Sequence, residues 1–339
     1  EPAEGEVEVR FGAPVRPGRA RLTIQYDAPF NPRMAGLYRV KDAGAWYAYT
    51  QFEAPAARRC FPCFDEPGFK VPFRVTLEVP EGMEALANMP EESRSSRGGR
   101  VAVSFQETPP MPTYLVAVAV GPFEIIPFAG PCPTPLRAVT AKGKGGQAAL
   151  GMAFAADLLR ILEGYFGRPH PYPKLDIVAV PEFAMGAMEN VGLITFREEM
   201  MLADEKAGLT LSRRRAMAEV IAHEISHQWF GNLVTMRWWD DLWLNEAFAT
   251  WIAAKTVDAW RPDFRAAVEL LQGRKGAMHV DSLVSARKVR QEVHSVADAE
   301  DAFDAITYTK GGLVLSMLER WIGEEAFRDG VRRYMKENE

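Results

Sequence analysis

Hydrophobic residues in the first 136 positions fall in short, alternating runs. Residues 22–26, 46–50, 73–79, 100–105 and 114–120 are rich in β-branched and aromatic side chains, with Pro, Gly and Asn clusters between them. That is the pattern of antiparallel strands in a sandwich-like domain. Residues 94–100 carry Ser, Gly and Arg with no apolar period, which predicts a hairpin loop. The Pro-rich stretch 127–135 is the expected edge of this domain.

The period then changes. Leu150, Phe154, Leu158, Leu159 and Leu162 recur at helical spacing and predict a long amphipathic helix over 147–166. Residues 176–180 and 192–196 read as buried strands on either side of a glycine-bearing turn at 184–190. Ser212 is the candidate N-cap of a helix that Gly231-Asn232 ends. Asp240 or Asp241 caps the next, which runs towards Lys255, and helical patterns follow at 263–271, 311–321 and 324–336. The expected fold class is α+β multidomain, with a β domain over 1–136 and an α/β domain over 137–339.

Composition refines this only slightly. A length of 339 residues suits two domains, and 47% apolar with 25% charged residues is ordinary for a globular chain. The net charge of −5 weighs against a nucleic-acid partner. Cys60, Cys63 and Cys132 are too few for a disulfide framework, and the C-x-x-C spacing at 60–63 lacks a second pair or a βαβ setting. Residues 1–12 lack the apolar core of a leader, so a cytoplasmic location is expected. The most apolar run, 114–120, is too short for a membrane segment.

Chemistry concentrates at 223–246. His223 and His227 stand four residues apart, Glu224 follows the first, and Glu246 lies nineteen positions beyond the second. On a helix the two imidazoles are about 40° apart in rotation and about 6 Å apart along the axis, so both can reach one ion. Glu224 is offset by about 100°, beside the metal, where a general base for water belongs. Glu246, from a second helix, completes three ligands and leaves a fourth position open, the arrangement of a catalytic zinc. The competing reading, a histidine pair on an amphipathic helix, leaves the downstream glutamate unexplained.

A second stretch, Gly186-Ala187-Met188-Glu189-Asn190, lies between two predicted strands. Gly186 lets the backbone approach a ligand, neighbouring amides could hold an extended peptide, and Glu189 would project a carboxylate. Taken alone, the pentapeptide is equally an ordinary turn.

Together these motifs resemble the zinc aminopeptidases of the aminopeptidase N and puromycin-sensitive aminopeptidase family, which share the thermolysin-like gluzincin fold. The matches are GAMEN at 186–190, HExxH-x18-E at 223–246, Thr-Gln-Phe-Glu at 50–53, Phe-Pro-Cys-Phe-Asp-Glu-Pro at 61–67 and Tyr-Thr-Lys-Gly at 308–311. The resemblance implies an N-terminal antiparallel β-sandwich-like domain followed by a thermolysin-like α/β zinc peptidase domain. It implies one Zn2+ per chain on His223, His227 and Glu246, with Glu224 as general base and Tyr308 as oxyanion stabiliser. Glu189 and Glu53 match the residues that bind the substrate's free α-amine. Gly186 and Ala187 match the backbone that orients the scissile peptide, and Met188 is taken with them as substrate-binding. The partners implied are peptides with a free N-terminus; oligomeric state is not implied.

Two departures stand out. Ala247 occupies a position where the family commonly has Gly, and the family's helical C-terminal domain has no counterpart here. The chain is therefore expected to start partway into its β domain and to stop within its catalytic domain. Two alternatives carry different signatures. A leukotriene-hydrolase-like enzyme would carry Gln for Glu53 and Gly for Ala187, and a non-catalytic scaffold on this fold would lose metal ligands.

Overall fold

The computed structural model describes residues 7–14, 16–204 and 208–339. Its first part is built from antiparallel sheets. Strands β1 (Gly36–Asp42), β2 (Ala45–Gln51), β4 (Glu84–Ala87) and β7 (Val118–Gly121) form a four-stranded sheet in the order β1-β2-β7-β4. Strands β3 (Thr76–Pro80), β5 (Glu91–Arg97) and β6 (Arg100–Phe105) form a three-stranded sheet in the order β3-β6-β5.

The second part opens on a five-stranded mixed sheet ordered β11-β12-β10-β9-β8. It comprises β8 (Glu124–Pro127), β9 (Leu136–Thr140), β10 (Leu175–Val180), β11 (Ala187–Met188) and β12 (Leu193–Arg197). The Pro-rich segment is thus the connection between β8 and β9, two antiparallel neighbours of one sheet. Parallel β9, β10 and β12 form its centre, and every residue of β10 is buried, as a strand covered on both faces requires. Buried Asp176 within β10 is neutralised by Arg137 at 2.7 Å and Lys174 at 2.8 Å.

Helices α1 (Ala149–Phe166), the short α2 (Glu198–Met201) and α3 (Leu211–His227) pack against this sheet, and α4 (Leu242–Trp260) packs on α3. They are followed by α5 (Ala266–Asp281), α6 (Val296–Asp301), α7 (Gly311–Ile322) and α8 (Glu324–Asn338). Phe166, Trp229, Phe248 and Trp251 fill the space among α1, α3 and α4. Trp229 and Trp239 are buried, whereas Trp238 and Trp243 are half-buried. Among the described residues no helix is long and apolar enough to cross a membrane.

The architecture is the expected α+β one, with antiparallel sheets first and a helix-and-sheet unit second. Several local expectations differ. Residues 22–26 join no sheet, and Leu22, Ile24 and Tyr26 are exposed. Positions 94–97, expected as loop, continue β5, and the turn contracts to Gly98-Gly99, whose φ values of +60° and +75° suit a tight hairpin. All of β5 is exposed, so it carries no apolar period to read. Residues 113–115 form a 3-10 turn ahead of β7. Thr210, not Ser212, caps α3 by accepting from the Arg213 amide. Asp241 precedes α4 without a side-chain cap bond, and that helix continues past Lys255 to Trp260.

Candidate active site

The two halves of the chain meet at a cavity of about 490 Å³. Its floor is α3. His223 and His227 project from successive turns, and their Nε2 atoms stand 3.1 Å apart. From α4, which packs against α3, Glu246 places Oε2 3.1 Å from His223 Nε2 and 3.6 Å from His227 Nε2. The other nitrogen of His227, Nδ1, lies 3.2 Å from the Phe230 carbonyl, which fixes the ring. Gly231 makes this possible: it sits at φ +135°, and a Cβ there would come within 2.9 Å of His227 Nδ1.

Two imidazole nitrogens and a carboxylate oxygen converging this closely fit a metal ion well. The ligand atoms of His223, His227 and Glu246 all lie within 4.8 Å of one another, a His2Glu set of borderline nitrogens and one hard oxygen that suits zinc. Burial raises the Glu246 pKa, but the two imidazoles outweigh it and hold the carboxyl at about 2.

A second cluster shares Glu246. Carboxylate oxygens of Glu53, Glu189 and Glu246 also lie within 4.8 Å of one another. Glu53 arrives just past the end of β2, and Glu189 just past β11. Glu189 is held through its backbone, its carbonyl accepting from Gln228 Nε2 at 2.8 Å and Asn232 Nδ2 at 2.7 Å. Oε1 of Glu53, Oε1 of Glu189 and Oε2 of Glu224 are buried without a hydrogen-bond partner. Burial first, and then mutual repulsion, pushes the carboxyls of Glu53 and Glu224 well above the ordinary range. Orphaned, crowded carboxylates of this kind call for a cation.

Tyr308 closes the cavity from a π-helical turn, Ile306–Lys310, that leads into α7. Its ring stacks on His223 at 6.0 Å between centroids. The turn is fastened by Asp304, whose Oδ1 accepts from the amides of Ile306 and Thr307, while Arg287 forks onto Asp304. Burial and the nearby carboxylates raise the Tyr308 pKa well above its usual value, which keeps the hydroxyl a donor.

Glu53, Gly186, Ala187, Glu189, His223, Glu224, Glu246 and Tyr308 all line the cavity. His227 lies directly beneath it, completing the nitrogen pair. Met188 does not reach it: successive side chains of β11 point to opposite faces, and the Met188 sulfur is buried against Gln51. Since β11 is the last strand of its sheet, one backbone edge is unpaired beside the cavity. Reading the sequence missed Gln228 and Asn232 as the clamps on Glu189, although both belong to the stretch after His227. It also missed Glu219 and Glu269 in the cavity wall.

Residues 150–339 match the peptidase family M1 domain, and residues 2–115 match the peptidase M1 N-terminal domain. The chain is 41% identical over 332 residues to aminopeptidase M1-A of Oryza sativa subsp. japonica, covering 97% of this chain and 38% of that protein. It is 40% identical over 338 residues to aminopeptidase M1 of Arabidopsis thaliana, covering 98% of this chain and 38% of the relative. Leucyl aminopeptidase of Saccharolobus solfataricus is 39% identical over 317 residues, 93% of this chain and 40% of its own length. The chain therefore spans about two fifths of the relatives it matches. With both models matching in succession along one polypeptide, the chain belongs to peptidase family M1.

Proposed function

We propose that this chain carries the catalytic centre of a zinc-dependent aminopeptidase that removes the N-terminal residue of peptides. The observation that carries the reading is the pair of clusters sharing Glu246, one of two histidines and a carboxylate, the other of three carboxylates. The first suits Zn2+, held by His223, His227 and Glu246. The second suits a substrate ammonium, whose three N–H donors match three carboxylate acceptors.

Zinc bound there supplies a Lewis acid that polarises a carbonyl and brings the pKa of a water towards ~7. The chain's own residues do the rest. Glu53 and Glu189 anchor the α-amine, which places the first peptide bond over α3. The unpaired edge of β11 at Ala187, with Gly186 just before it, aligns the backbone. Glu224 accepts the proton of the attacking water and returns it to the departing amine. Tyr308 donates a hydrogen bond to the carbonyl oxygen as charge builds on it.

A non-catalytic scaffold is disfavoured because the three ligands and Glu224 are all in place. The leukotriene-hydrolase-like alternative is disfavoured by Glu53 and Ala187. The test is zinc content together with hydrolysis of an aminoacyl-coumarin. One zinc per chain is expected, with hydrolysis lost to chelator and regained with zinc. Glu224→Gln should keep the metal yet lose about 10²–10⁴-fold in kcat. Near-normal turnover by that variant with zinc bound would overturn the mechanism.

A further inference from the structure

The cavity has two acidic ends, and the reaction described above uses only one. Glu53, Glu189, Glu224 and Glu246 cluster around the metal ligands, whereas Glu219 and Glu269 line the wall further along. Glu219 lies on α3 one turn before His223 and two turns before His227. His227 is the residue that faces Glu189, at 4.0 Å. Positions 227 and 219 are thus about 12 Å apart along the α3 axis, with His223 between them. The charges that act on Glu219 are those of Arg215 and Glu269, not those of the four inner carboxylates.

The balance of that outer trio leaves one negative charge over. Arg215 is committed to Glu269 at 2.8 Å and to the Phe264 carbonyl at 3.1 Å. Glu219, half-buried, makes no hydrogen bond or ion pair among the described residues. Apart from Thr250 and Thr309, the same cavity is lined on the α3, α4 and α5 side by small or apolar residues, Val220, Ala253, Ala254, Leu270 and Gly273. An apolar channel ending in an unpaired carboxylate is complementary to a methylene stem tipped with a cation.

A substrate anchored by its amine at Glu53 and Glu189, with its first carbonyl over His223, must continue towards Glu219. We infer that Glu219 is a specificity-determining residue that selects Lys or Arg immediately after the scissile bond. The assignment rests on the aminopeptidase reading for the direction in which the peptide lies. Glu269 assists by occupying Arg215, which would otherwise neutralise Glu219. Burial, partly offset by Arg215 and reinforced by Glu269, raises the Glu219 pKa to about 7, so the preference strengthens as pH rises through neutrality.

The test is calorimetric binding of Leu-Lys-Gly and Leu-Glu-Gly to the zinc-loaded Glu224→Gln chain, which keeps the metal and in which turnover scarcely intervenes. Leu-Lys-Gly should bind at least about tenfold tighter. Glu219→Gln should bring the two within about twofold of each other, and Glu219→Lys should invert the order. Glu269→Gln, which frees Arg215, should weaken the preference in the same direction and covers the case in which a Glu219 variant fails to fold. Equal binding of the two peptides, no binding of either, or a preference that survives Glu219→Gln overturns the inference. The zinc-loaded chain with Glu224 intact, given the same peptides, separates the two claims: preferential binding without cleavage would sink the aminopeptidase reading and leave the cation pocket standing.

Discussion

Gly311 faces Ala247 so closely that a Cβ on the glycine would stand 2.6 Å from the alanine methyl. Ala247 follows Glu246, the proposed ligand, and Gly311 begins α7 three residues after Tyr308. The methyl at 247, a departure from the usual family pattern, is accommodated because position 311 has no side chain. Gly311→Ala should therefore push α7 off α4, cost about 1–3 kcal/mol and displace Tyr308. The double variant Gly311→Ala/Ala247→Gly should recover much of the lost melting temperature and turnover. Additive losses in the double variant would contradict this coupling.

Asn232 is one of two donors on the Glu189 carbonyl. Asn232→Ala leaves that buried carbonyl with Gln228 alone, a loss of about 0.5–1.5 kcal/mol in positioning. Steady-state kinetics should show KM for free-amine substrates rising more than kcat falls. Asn232→Asp should be worse, since it turns an acceptor towards an acceptor. A variant with unchanged KM would separate Glu189 from substrate binding.

Metal removal should loosen the contact between α3 and α4, because the proposed ligands come from both helices. At a free zinc level about 100-fold above Kd, binding contributes about 2.7 kcal/mol of stability. A thermal melt with and without chelator reads this as a drop in midpoint. In Glu246→Gln the two melts should nearly coincide. If the variant kept the full zinc-dependent shift, Glu246 would not be a ligand.

His170 gives the structure an acid-sensitive point away from the reacting groups. Its ring is packed edge-on against Trp229 and Tyr172, with Nδ1 2.9 Å from the Tyr172 carbonyl and Nε2 buried without a partner. Burial chiefly lowers its pKa from 6.5 to about 4. The unfolded chain therefore takes up a proton first on acidification, and stability falls from pH 6.5 down to about 4. The loss approaches about 3 kcal/mol at the bottom of that window. His170→Gln should flatten the dependence of the unfolding midpoint on pH between these limits, whereas an unaltered slope would assign the acid sensitivity elsewhere.

Much of the site was legible because its periods are local. The spacing of His223 and His227 is one helical turn, and Glu246 sits at the distance a second packed helix requires. Glu53 was readable only through family resemblance, since a contact between the end of β2 and the helices has no local period. Glu219 was passed over because a glutamate on a helix of mixed polarity reads as solvated until α5 closes a wall opposite it. Met188 could have been excluded from the cavity beforehand, as the two-residue period of a strand sends it away from Ala187. Strand β5 escaped for the opposite reason, being exposed on both faces and held by its pairing with β6 and by ion pairs such as Arg94 with Glu84 and Glu91.

The account turns on a free amine being counted by Glu53 and Glu189. The most direct measurement is kcat/KM for a leucyl peptide and for its N-acetylated counterpart, in the zinc-loaded chain and in Glu189→Gln. The free peptide should be preferred by at least about a hundredfold, since acetylation removes the cation and leaves buried carboxylates unpaired. Glu189→Gln should erode most of that preference. Equal cleavage of the free and acetylated peptides would contradict the account.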